Sequence, residues 1–186
     1  MSQCTAKATT LPGLMQIERA PHDDQRGSFA RLFCNSLFAD WGWDRPIRQI
    51  NHSTTTGRGT VRGMHFQRPA DAETKLVTCL VGEVFDVAVD LRAGSPTFLC
   101  WHGIVLSAAN RRSLLIPRGF AHGFQTLSDE VKIVYLHDAA YAPHSEGGLS
   151  PLDPRLAIAW PLPISLISDR DANHPHIDAH FTGIPS

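Results

Sequence analysis

Three of the ten histidines stand out by their sequence context. His65 lies in VRGMHFQ (61–67), His122 lies in IPRGFAHGF (116–124), and His102 follows Trp101. Glycines beside the first two allow the backbone to approach a ligand closely. Imidazole can serve as a general base near neutral pH or as a metal ligand. His65 and His122 are therefore candidate site residues, whereas a structural role is the simpler interpretation of a lone histidine such as His102.

The motif Pro-x-Gly-x-x-His, which ends at His122, is typical of cupin barrels. Metal-binding cupins combine it with an earlier His-x-His and a following Glu, which gives three or four ligands. Here the earlier motif is His65-Phe66-Gln67, and glutamine is a poor replacement for a ligating imidazole. No glutamate lies within the next few residues, and the ammonium group of Lys75 in the next strand would repel a cation. These residues predict a cupin cavity that has no metal site and uses histidine as a base.

Short segments of alternating hydrophobic residues, separated by prolines and glycines, predict half-buried strands. The clearest is 83–92, whose alternate residues lie on opposite faces of the strand. One face carries Phe85, Val87, Val89 and Leu91, and the other carries Val84, Asp86, Ala88 and Asp90. Further strands are predicted at 28–35, 46–53, 59–67, 75–81, 98–106, 113–116 and 131–138. Helical signal is limited to one turn at 37–41 and a short helix near 169–172. Many short strands with marked turns, such as 90–96, predict an all-β sandwich or barrel.

Length and composition are those of a single globular domain. The chain has 186 residues, of which 42% are hydrophobic and 19% charged, and its formal net charge is −1. So small a charge argues against general binding to nucleic acid or to membranes, and no segment approaches the roughly 18 apolar residues of a membrane span. We expect one domain over 1–186, with a core at about 17–175 and a poorly ordered tail at 173–186, which is rich in histidine and proline.

The cysteines and the N-terminal residues favour a cytoplasmic protein. Cys4, Cys34, Cys79 and Cys100 lack CxxC spacing, and the last two lie in apolar segments. Buried free thiols are therefore expected in preference to disulfides or a zinc site. Residues 1–14 are polar and lack the long apolar core of a secretory signal.

Short sequence motifs along most of the chain resemble those of the dTDP-4-dehydrorhamnose 3,5-epimerase family. The first are DQRGSF (24–29), QINHS (49–53), GTVRGMHFQ (59–67) and KLV (75–77). They are followed by GEVFDVAVDLR (82–92), GSPTF (94–98), LSA (106–108), IPRGFAHGF (116–124) and YAP (141–143). Asp-Pro at 153–154 and Trp-Pro at 160–161 complete the set. The similarity covers about 17–175 and is more specific than any single motif.

This resemblance implies a cupin jelly roll, the double-stranded β-helix barrel, that has few short helices and forms a homodimer. It implies a nucleoside-diphosphate 4-keto-6-deoxyhexose as substrate, with inversion at C3 and C5 as in the conversion of dTDP-4-dehydro-6-deoxyglucose to dTDP-4-dehydrorhamnose. The activity would then serve dTDP-rhamnose and polysaccharide biosynthesis. No cofactor is required, and no Gly-rich dinucleotide fingerprint is present.

The resemblance also implies roles for individual residues. His65 matches the catalytic base, Asp171 its carboxylate partner, Tyr135 the general acid, and Lys75 a cation near the keto oxygen. Positions that hold the substrate are matched by Gln49, Asn51, Arg62, His122, Tyr141 and Glu146. Positions that reach the ligand of the neighbouring subunit are matched by Arg26 and Phe29.

These residue types suit the chemistry. A ketone at C4 acidifies the hydrogens on C3 and C5 because the carbanion delocalises into an enolate. An imidazole with a pKa near ~6.5 suits the base, and a carboxylate on its other nitrogen fixes the tautomer and stabilises the imidazolium. A phenol with a pKa of about 10 can return a proton to the opposite face, and an ammonium group can stabilise the enolate oxygen.

Strand geometry adds one requirement. Strict alternation points Arg62 and His65 to opposite faces of their strand, so the backbone must deviate if both reach the cavity. Gly63 between them is a suitable place for a β-bulge. Lys75 and Tyr135 are each in phase with hydrophobic residues of their own strands, which is compatible with side chains that face inward.

Simpler interpretations exist for single residues. Arginines such as Arg26 and Arg62 commonly form surface ion pairs, Tyr135 could be a core residue with its hydroxyl at the rim, Lys75 could be exposed, and Asp171 could cap a helix. Considered together and in family order, the same residues favour the catalytic interpretation.

Departures from the family pattern leave alternatives open. They are Arg31 for Glu, Leu136 for Lys, Ala140 for the first of two tyrosines, and Pro151-Leu152 for Trp-Asn. The last two are expected near the nucleotide and sugar end of the site. An enzyme that inverts only C3 or only C5, or that uses a CDP- or GDP-linked sugar, is therefore an alternative. Less favoured are a keto-isomerase, a non-catalytic cupin that binds sugar nucleotides, and a dioxygenase cupin, which would need iron.

Overall fold

The computed structural model describes residues 3–185. Its strands are β1 (Gln3–Ala8), β2 (Met15–Ala20), β3 (His22–Asp24), β4 (Gly27–Phe29), β5 (Gln49–Thr56), β6 (Thr60–Gln67), β7 (Lys75–Val81), β8 (Glu83–Asp90), β9 (Trp101–Ser107), β10 (Arg112–Ile116), β11 (Phe120–Thr126), β12 (Glu130–His137), β13 (Glu146–Gly148) and β14 (Leu166–Ile167). The helices are α1 (Asn35–Ala39) and α2 (Asp169–Ala172), and a 3-10 turn covers Pro69–Asp71. Within 3–185, no helix has the length and hydropathy required to cross a membrane.

Two six-stranded sheets form the barrel. The first has the order β1-β2-β10-β7-β12-β5, and the second has the order β13-β6-β11-β8-β9 with β14 beside β6. Hydrophobic side chains from both sheets meet in one core, including Val77 and Ile133 from the first sheet and Val84 and Phe124 from the second. The all-β class predicted from the alternating pattern is confirmed.

Both sheets are also covered on their outer faces. Around α1, Phe38 and Trp43 pack with Leu76 of the first sheet, while Ile177 and Ile184 of the C-terminal segment pack against the second sheet. The two faces of β8 were therefore predicted correctly but are both buried, because the outer one lies under the C-terminal residues. The tail was expected to be poorly ordered over 173–186; its described part, 173–185, is instead packed, since Ile177 and Ile184 bury against the barrel, and residue 186 lies outside the described residues.

Several predicted boundaries differ from the structure. The segment predicted at 28–35 is a strand only over Gly27–Phe29, where it pairs with β3. The strand predicted at 46–53 is displaced to Gln49–Thr56. The strand predicted from 98 begins at Trp101 because the preceding turn is longer: the carboxylate of Asp90 accepts hydrogen bonds from the hydroxyls of Ser95 and Thr97.

The cysteine prediction was right for one buried residue and wrong for another. All four cysteines are free thiols, and Cys79 is buried. Cys100 is exposed because it lies at the end of the long turn before β9 and not inside a strand.

Packing of the tail can be tested through Ile177, which is 8% exposed. We expect Ile177→Ala to lower the free energy of unfolding by about 2–4 kcal/mol, because it removes buried methyl groups and leaves a cavity. Urea denaturation measures the change, and Leu152→Ala, at a side chain that is 56% exposed, is expected to change stability by less than about 0.5 kcal/mol. Equal small effects for both variants would show that the tail contributes little to the fold.

Candidate active site

A cavity of about 520 Å³ lies between the sheets. Its walls include seven of the predicted site residues: Asn51, Lys75 and Tyr135 from the first sheet, and Arg62, His65, His122 and Glu146 from the second. An adjoining cavity of about 430 Å³ shares Arg62 and His65 and adds Asp171 and Arg170. The predicted residues are thus collected from distant parts of the chain into one polar space.

A bulge in β6 brings both Arg62 and His65 to this space. In the pairing of β11 with β6, His122 lies opposite His65 and Phe124 lies opposite Arg62, so β6 has one extra residue between the two pairs. Gly63 has a positive φ of 119°, and a Cβ at this position would lie 2.5 Å from the Cα of Gly123. The strands approach so closely here that only glycine fits, and the bulge predicted at Gly63 is confirmed.

His65 and Asp171 form a hydrogen-bonded pair. The Nε2 atom of His65 lies 2.7 Å from Oδ1 of Asp171, and the second carboxylate oxygen accepts the backbone N–H of Gly63 at 3.1 Å. Burial would raise the pKa of Asp171, but the hydrogen bonds from His65 and Gly63 outweigh it, so the pKa lies below its ordinary value. The carboxylate is therefore ionised at neutral pH and can stabilise a protonated imidazole.

The position of Asp171 depends on α2. The side chain of Ser168 caps this short helix and accepts the backbone N–H of Asp171 at 3.1 Å. Asp171 is 5% exposed, so the simpler interpretation, a capping residue in a solvated tail, does not describe it.

Tyr135 lies on the first sheet, opposite Asn51 of β5. Its hydroxyl is 3.2 Å from the hydroxyl of Ser53, and its ring is 6.1 Å from that of His122. Burial raises the pKa of Tyr135 above its ordinary value, and the hydrogen bond with Ser53 only partly opposes this. The phenol is consequently protonated at neutral pH and able to donate.

His122 has a carboxylate partner that the sequence analysis did not single out. Its Nε2 atom lies 2.9 Å from Oδ2 of Asp86, which is fully buried. Asp86 lies on the inward face of β8 with Val84 and Ala88, and a carboxylate among apolar inward residues was the signal available in the sequence. The pair fixes the orientation of the His122 ring at the cavity wall.

Lys75 also has a carboxylate partner that the sequence analysis missed. Its Nζ atom lies 2.8 Å from Oε1 of Glu73, while Nδ1 of His137 lies 2.8 Å from the other oxygen. Burial would raise the pKa of Glu73, but the charge of Lys75 and the hydrogen bond from His137 lower it to about 2. Glu73 thus holds the ammonium group of Lys75, which is only 7% exposed, at the cavity.

The low pKa of Glu73 makes stability depend on pH. Because the folded-state pKa is below the value of the unfolded chain, the stabilisation is present above about pH 4.5 and is lost as pH falls toward about 2. We expect the unfolding free energy of the wild type to fall by about 2 kcal/mol more than that of Glu73→Gln between about pH 5 and about pH 3. Urea titrations at several pH values measure this, with Glu130→Gln, an exposed partner of Lys132, as the matched control. Parallel curves for wild type and Glu73→Gln would contradict the assignment.

Gln49 and Tyr141 are connected to the cavity through Glu146, which lines it. The side-chain oxygen of Gln49 accepts the backbone N–H of Tyr141 at 2.8 Å, and neither residue lines the cavity itself. The hydroxyl of Tyr141 donates to Glu146 at 2.7 Å, and Arg170 binds the other carboxylate oxygen of Glu146 at 2.5 Å. Tyr141 itself is 52% exposed.

Arg26 and Phe29 are not brought to the cavity within one chain. They lie on the β3–β4 hairpin, where Arg26 pairs with Asp24 at 2.6 Å and Phe29 is 70% exposed. Their expected contact with a neighbouring subunit's ligand stays a prediction.

Gln67 occupies the position of the second histidine in metal-binding cupins. Its side-chain N–H group donates to the backbone oxygens of Asp71 and Ala140, and its side-chain oxygen accepts the N–H of Ala142. The residue ties the strand end to neighbouring loops, away from the cavity walls.

Comparison with known proteins decides the family. The profile described as dTDP-4-dehydrorhamnose 3,5-epimerase matches residues 8–179. The chain belongs to the dTDP-4-dehydrorhamnose 3,5-epimerase family. A 3,5-epimerase of that name from Shigella flexneri is 43% identical over 175 residues, which are 93% of this chain and 96% of the relative. A dTDP-4-dehydrorhamnose 3-epimerase from Streptomyces niveus is also 43% identical, over 87% of this chain and 78% of the relative.

A solved structure agrees with the fold. The dTDP-6-deoxy-D-glucose 3,5-epimerase of Legionella pneumophila, in complex with dTDP-4-keto-L-rhamnose, superimposes with a TM-score of 0.91 at 39% identity and covers 98% of both chains. The cupin jelly roll implied by the sequence resemblance is therefore confirmed for this member of the dTDP-4-dehydrorhamnose 3,5-epimerase family.

The departures from the family pattern lie outside both cavities. Leu136 packs in the outer core of the first sheet, and Ala140 contributes its backbone oxygen to Gln67. Pro151 accepts the indole N–H of Trp160. In the described part of this 3,5-epimerase family member, none of these residues lines either cavity.

Proposed function

We propose that this chain epimerises dTDP-4-keto-6-deoxyglucose at C3 and C5. The observation that supports this most directly is the placement of the His65–Asp171 pair and of protonated Tyr135 on opposite sheets around one cavity. A base and an acid on opposite walls are what inversion through a planar enolate requires. The names of the relatives from Shigella and Legionella indicate the substrate.

His65 would remove the protons. Its Nε2 atom is engaged by Asp171, so Nδ1 is the nitrogen that would accept the proton from carbon. The ionised carboxylate fixes this tautomer and stabilises the imidazolium that results. Asp171 therefore acts as a positioning and electrostatic partner of the base.

Tyr135 would return the protons on the opposite face. The phenol remains protonated until the carbanion forms, because burial raises its pKa. Ser53, which is within hydrogen-bond distance of the phenol oxygen, orients the group. Removal by one wall and return from the other inverts the carbon.

Lys75 would stabilise the enolate oxygen at C4. An ammonium group held by Glu73 at the wall of a partly enclosed cavity supplies positive charge where negative charge develops. His122, fixed by Asp86, adds an imidazole at the same wall as His65.

The rest of the substrate would extend along both cavities. Arg62 lies where they join, and Arg170 lies at the second one, so two cations are available to diphosphate oxygens. Asn51 and Glu146 offer polar contacts to sugar hydroxyls. Exposed Phe29 and Arg26 would complete a neighbour's site in a homodimer, and four free thiols are compatible with a cytoplasmic location.

A second candidate is inversion at C3 alone. It is favoured by the 3-epimerase from Streptomyces niveus, which has the same 43% identity as the Shigella 3,5-epimerase. Other nucleotide sugars, keto-isomerisation and binding without turnover are less favoured, because the described site combines a base, an acid and a cation.

Identification of the product distinguishes these candidates. We would incubate dTDP-4-keto-6-deoxyglucose with the enzyme, reduce the ketone with borohydride, hydrolyse the glycosyl bond and separate the 6-deoxysugars. Rhamnose and 6-deoxytalose above the level of the enzyme-free control are expected for inversion at both carbons. The 6-deoxy forms of allose and gulose would indicate inversion at C3 only. Only 6-deoxyglucose and fucose would contradict epimerisation of this substrate.

A further inference from the structure

A second histidine lies beside the His65–Asp171 pair and has no role in the proposed reaction. One ligand atom each from His65, Asp171 and His174 lies within 4.8 Å of the other two. The Nε2 atom of His174 is 3.9 Å from the same carboxylate oxygen that His65 contacts at 2.7 Å. Two imidazole nitrogens therefore converge on one carboxylate oxygen, which brings three potential metal-ligand groups together.

The ring of His174 is held toward this point. Its Nε2 atom is buried and has no hydrogen-bond partner among the described residues. The ring lies directly over Gly148, where a Cβ would be 2.1 Å from that nitrogen, and it stands edge-on to His65 at 6.0 Å between ring centroids. A buried imidazole nitrogen without a partner is costly, so its direction toward the carboxylate points to a shared ligand.

We propose that His65, Asp171 and His174 form a binding site for one divalent transition-metal ion of the zinc class. Zinc bonds to histidine and carboxylate of about 2.0–2.2 Å place tetrahedral ligand atoms about 3.3–3.5 Å apart. The contacts of 2.7 and 3.9 Å to Asp171 lie on either side of this separation, and the ligand nitrogens of the two imidazoles lie within 4.8 Å of each other. Side-chain shifts of about 1 Å would therefore seat the ion. Two imidazoles and one carboxylate are a donor set that suits zinc and cobalt.

The surroundings support such an ion. The second oxygen of Asp171 is held by the N–H of Gly63 at 3.1 Å, the kind of outer contact that orients a ligating carboxylate. The nearby charge of Arg170 is compensated by Glu146 at 2.5 Å. His65 and Asp171 also line the smaller cavity, which leaves a fourth coordination position open to solvent or an added ligand.

An ion at this site would inhibit the enzyme. It would occupy the ring nitrogen of His65 that now contacts Asp171, so the ring would lose the hydrogen bond that orients it as a base. This consequence rests on the proposed function of His65 as the base, whereas binding of the ion does not. Experiment can therefore contradict the metal site and the proposed role of His65 separately.

Cobalt titration of the whole chain tests the site through visible absorption. We expect one Co²⁺ per chain with an intense tetrahedral-type spectrum that Zn²⁺ abolishes by displacement. His174→Ala is expected to weaken binding at least about tenfold, while His180→Ala, an exposed histidine of the same tail, leaves it unchanged. No such spectrum, or equal affinity in wild type and His174→Ala, would overturn the site.

Epimerisation in the presence and absence of Zn²⁺ tests the inhibitory role. The rate of each variant with Zn²⁺ is compared with the rate of the same variant in a chelator. We expect Zn²⁺ to inhibit wild type and His180→Ala. The same Zn²⁺ concentrations should leave the rate of His174→Ala unchanged. Binding of cobalt without inhibition would keep the site and overturn the inhibitory role. Absence of epimerisation in chelator would instead contradict the proposed function and leave the cobalt result standing.

Discussion

Replacing His65 with alanine is expected to lower the rate of epimerisation by between about 100-fold and about 10,000-fold, the range that a general base contributes. The loss should fall on kcat, because the imidazole acts on the protons at carbon. The substrate's diphosphate would still meet Arg62 and Arg170, so KM should change less. Initial rates over a range of substrate concentrations separate the two.

Folding and specificity controls make this result interpretable. The side chain of His65 is 36% exposed, so alanine should leave the urea unfolding curve close to that of wild type. His176→Ala, an exposed histidine of the C-terminal segment, should keep the wild-type rate. A His65→Ala enzyme that retains more than about a tenth of wild-type kcat would exclude this residue as the base.

Tyr135→Phe is expected to separate proton exchange from inversion. His65 can still remove a proton in this variant, but the phenol that protonates the opposite face is gone. The ammonium group of Lys75 remains on the first sheet, but it is held by Glu73 and is assigned to the enolate oxygen. The enolate would then recover its proton from the side of His65, with retention. We expect epimer formation to fall by about 100-fold or more, while exchange of the C3 or C5 hydrogen with solvent persists at a measurable rate.

Ser53→Ala provides the matched comparison for Tyr135. It removes the hydroxyl 3.2 Å from the phenol oxygen but keeps the acid, so a reduction of no more than about tenfold is expected. Equal losses of exchange and inversion in Tyr135→Phe would mean that the tyrosine supports proton removal as well. Full epimerase activity in that variant would assign the acid to another group.

The sequence was sufficient where a residue pattern has one structural solution. Alternation in 83–92 identified both faces of β8, and Gly63 between Arg62 and His65 identified the bulge. His65 and Asp171 are 106 positions apart, so their contact could not be inferred from spacing. The family resemblance supplied that expectation, and the structure supplies the geometry.

Partners of the site residues could not be predicted in the same way. Glu73 and Asp86 each look like ordinary acidic residues in sequence. Asp86 contacts His122 because the pairing of β8 with β11 places them together, whereas Glu73, two residues before Lys75, is bound at the strand end by His137 of β12. The packed tail was missed for a related reason. The histidines and prolines around Ile177 are typical of a solvated segment. The outer face of the second sheet is hydrophobic, and the C-terminal segment packs on it and shields it from solvent.

Solvent deuterium exchange measures the central claim most directly. Proton NMR of dTDP-4-keto-6-deoxyglucose in deuterium oxide, with wild type and with His65→Ala, reports separately on C3 and C5. We expect wild type to introduce deuterium at both carbons and His65→Ala to introduce it at neither above the enzyme-free rate. Exchange at both carbons that is as fast in His65→Ala as in wild type would contradict the assignment of the base, and the absence of exchange in wild type would contradict the proposed reaction.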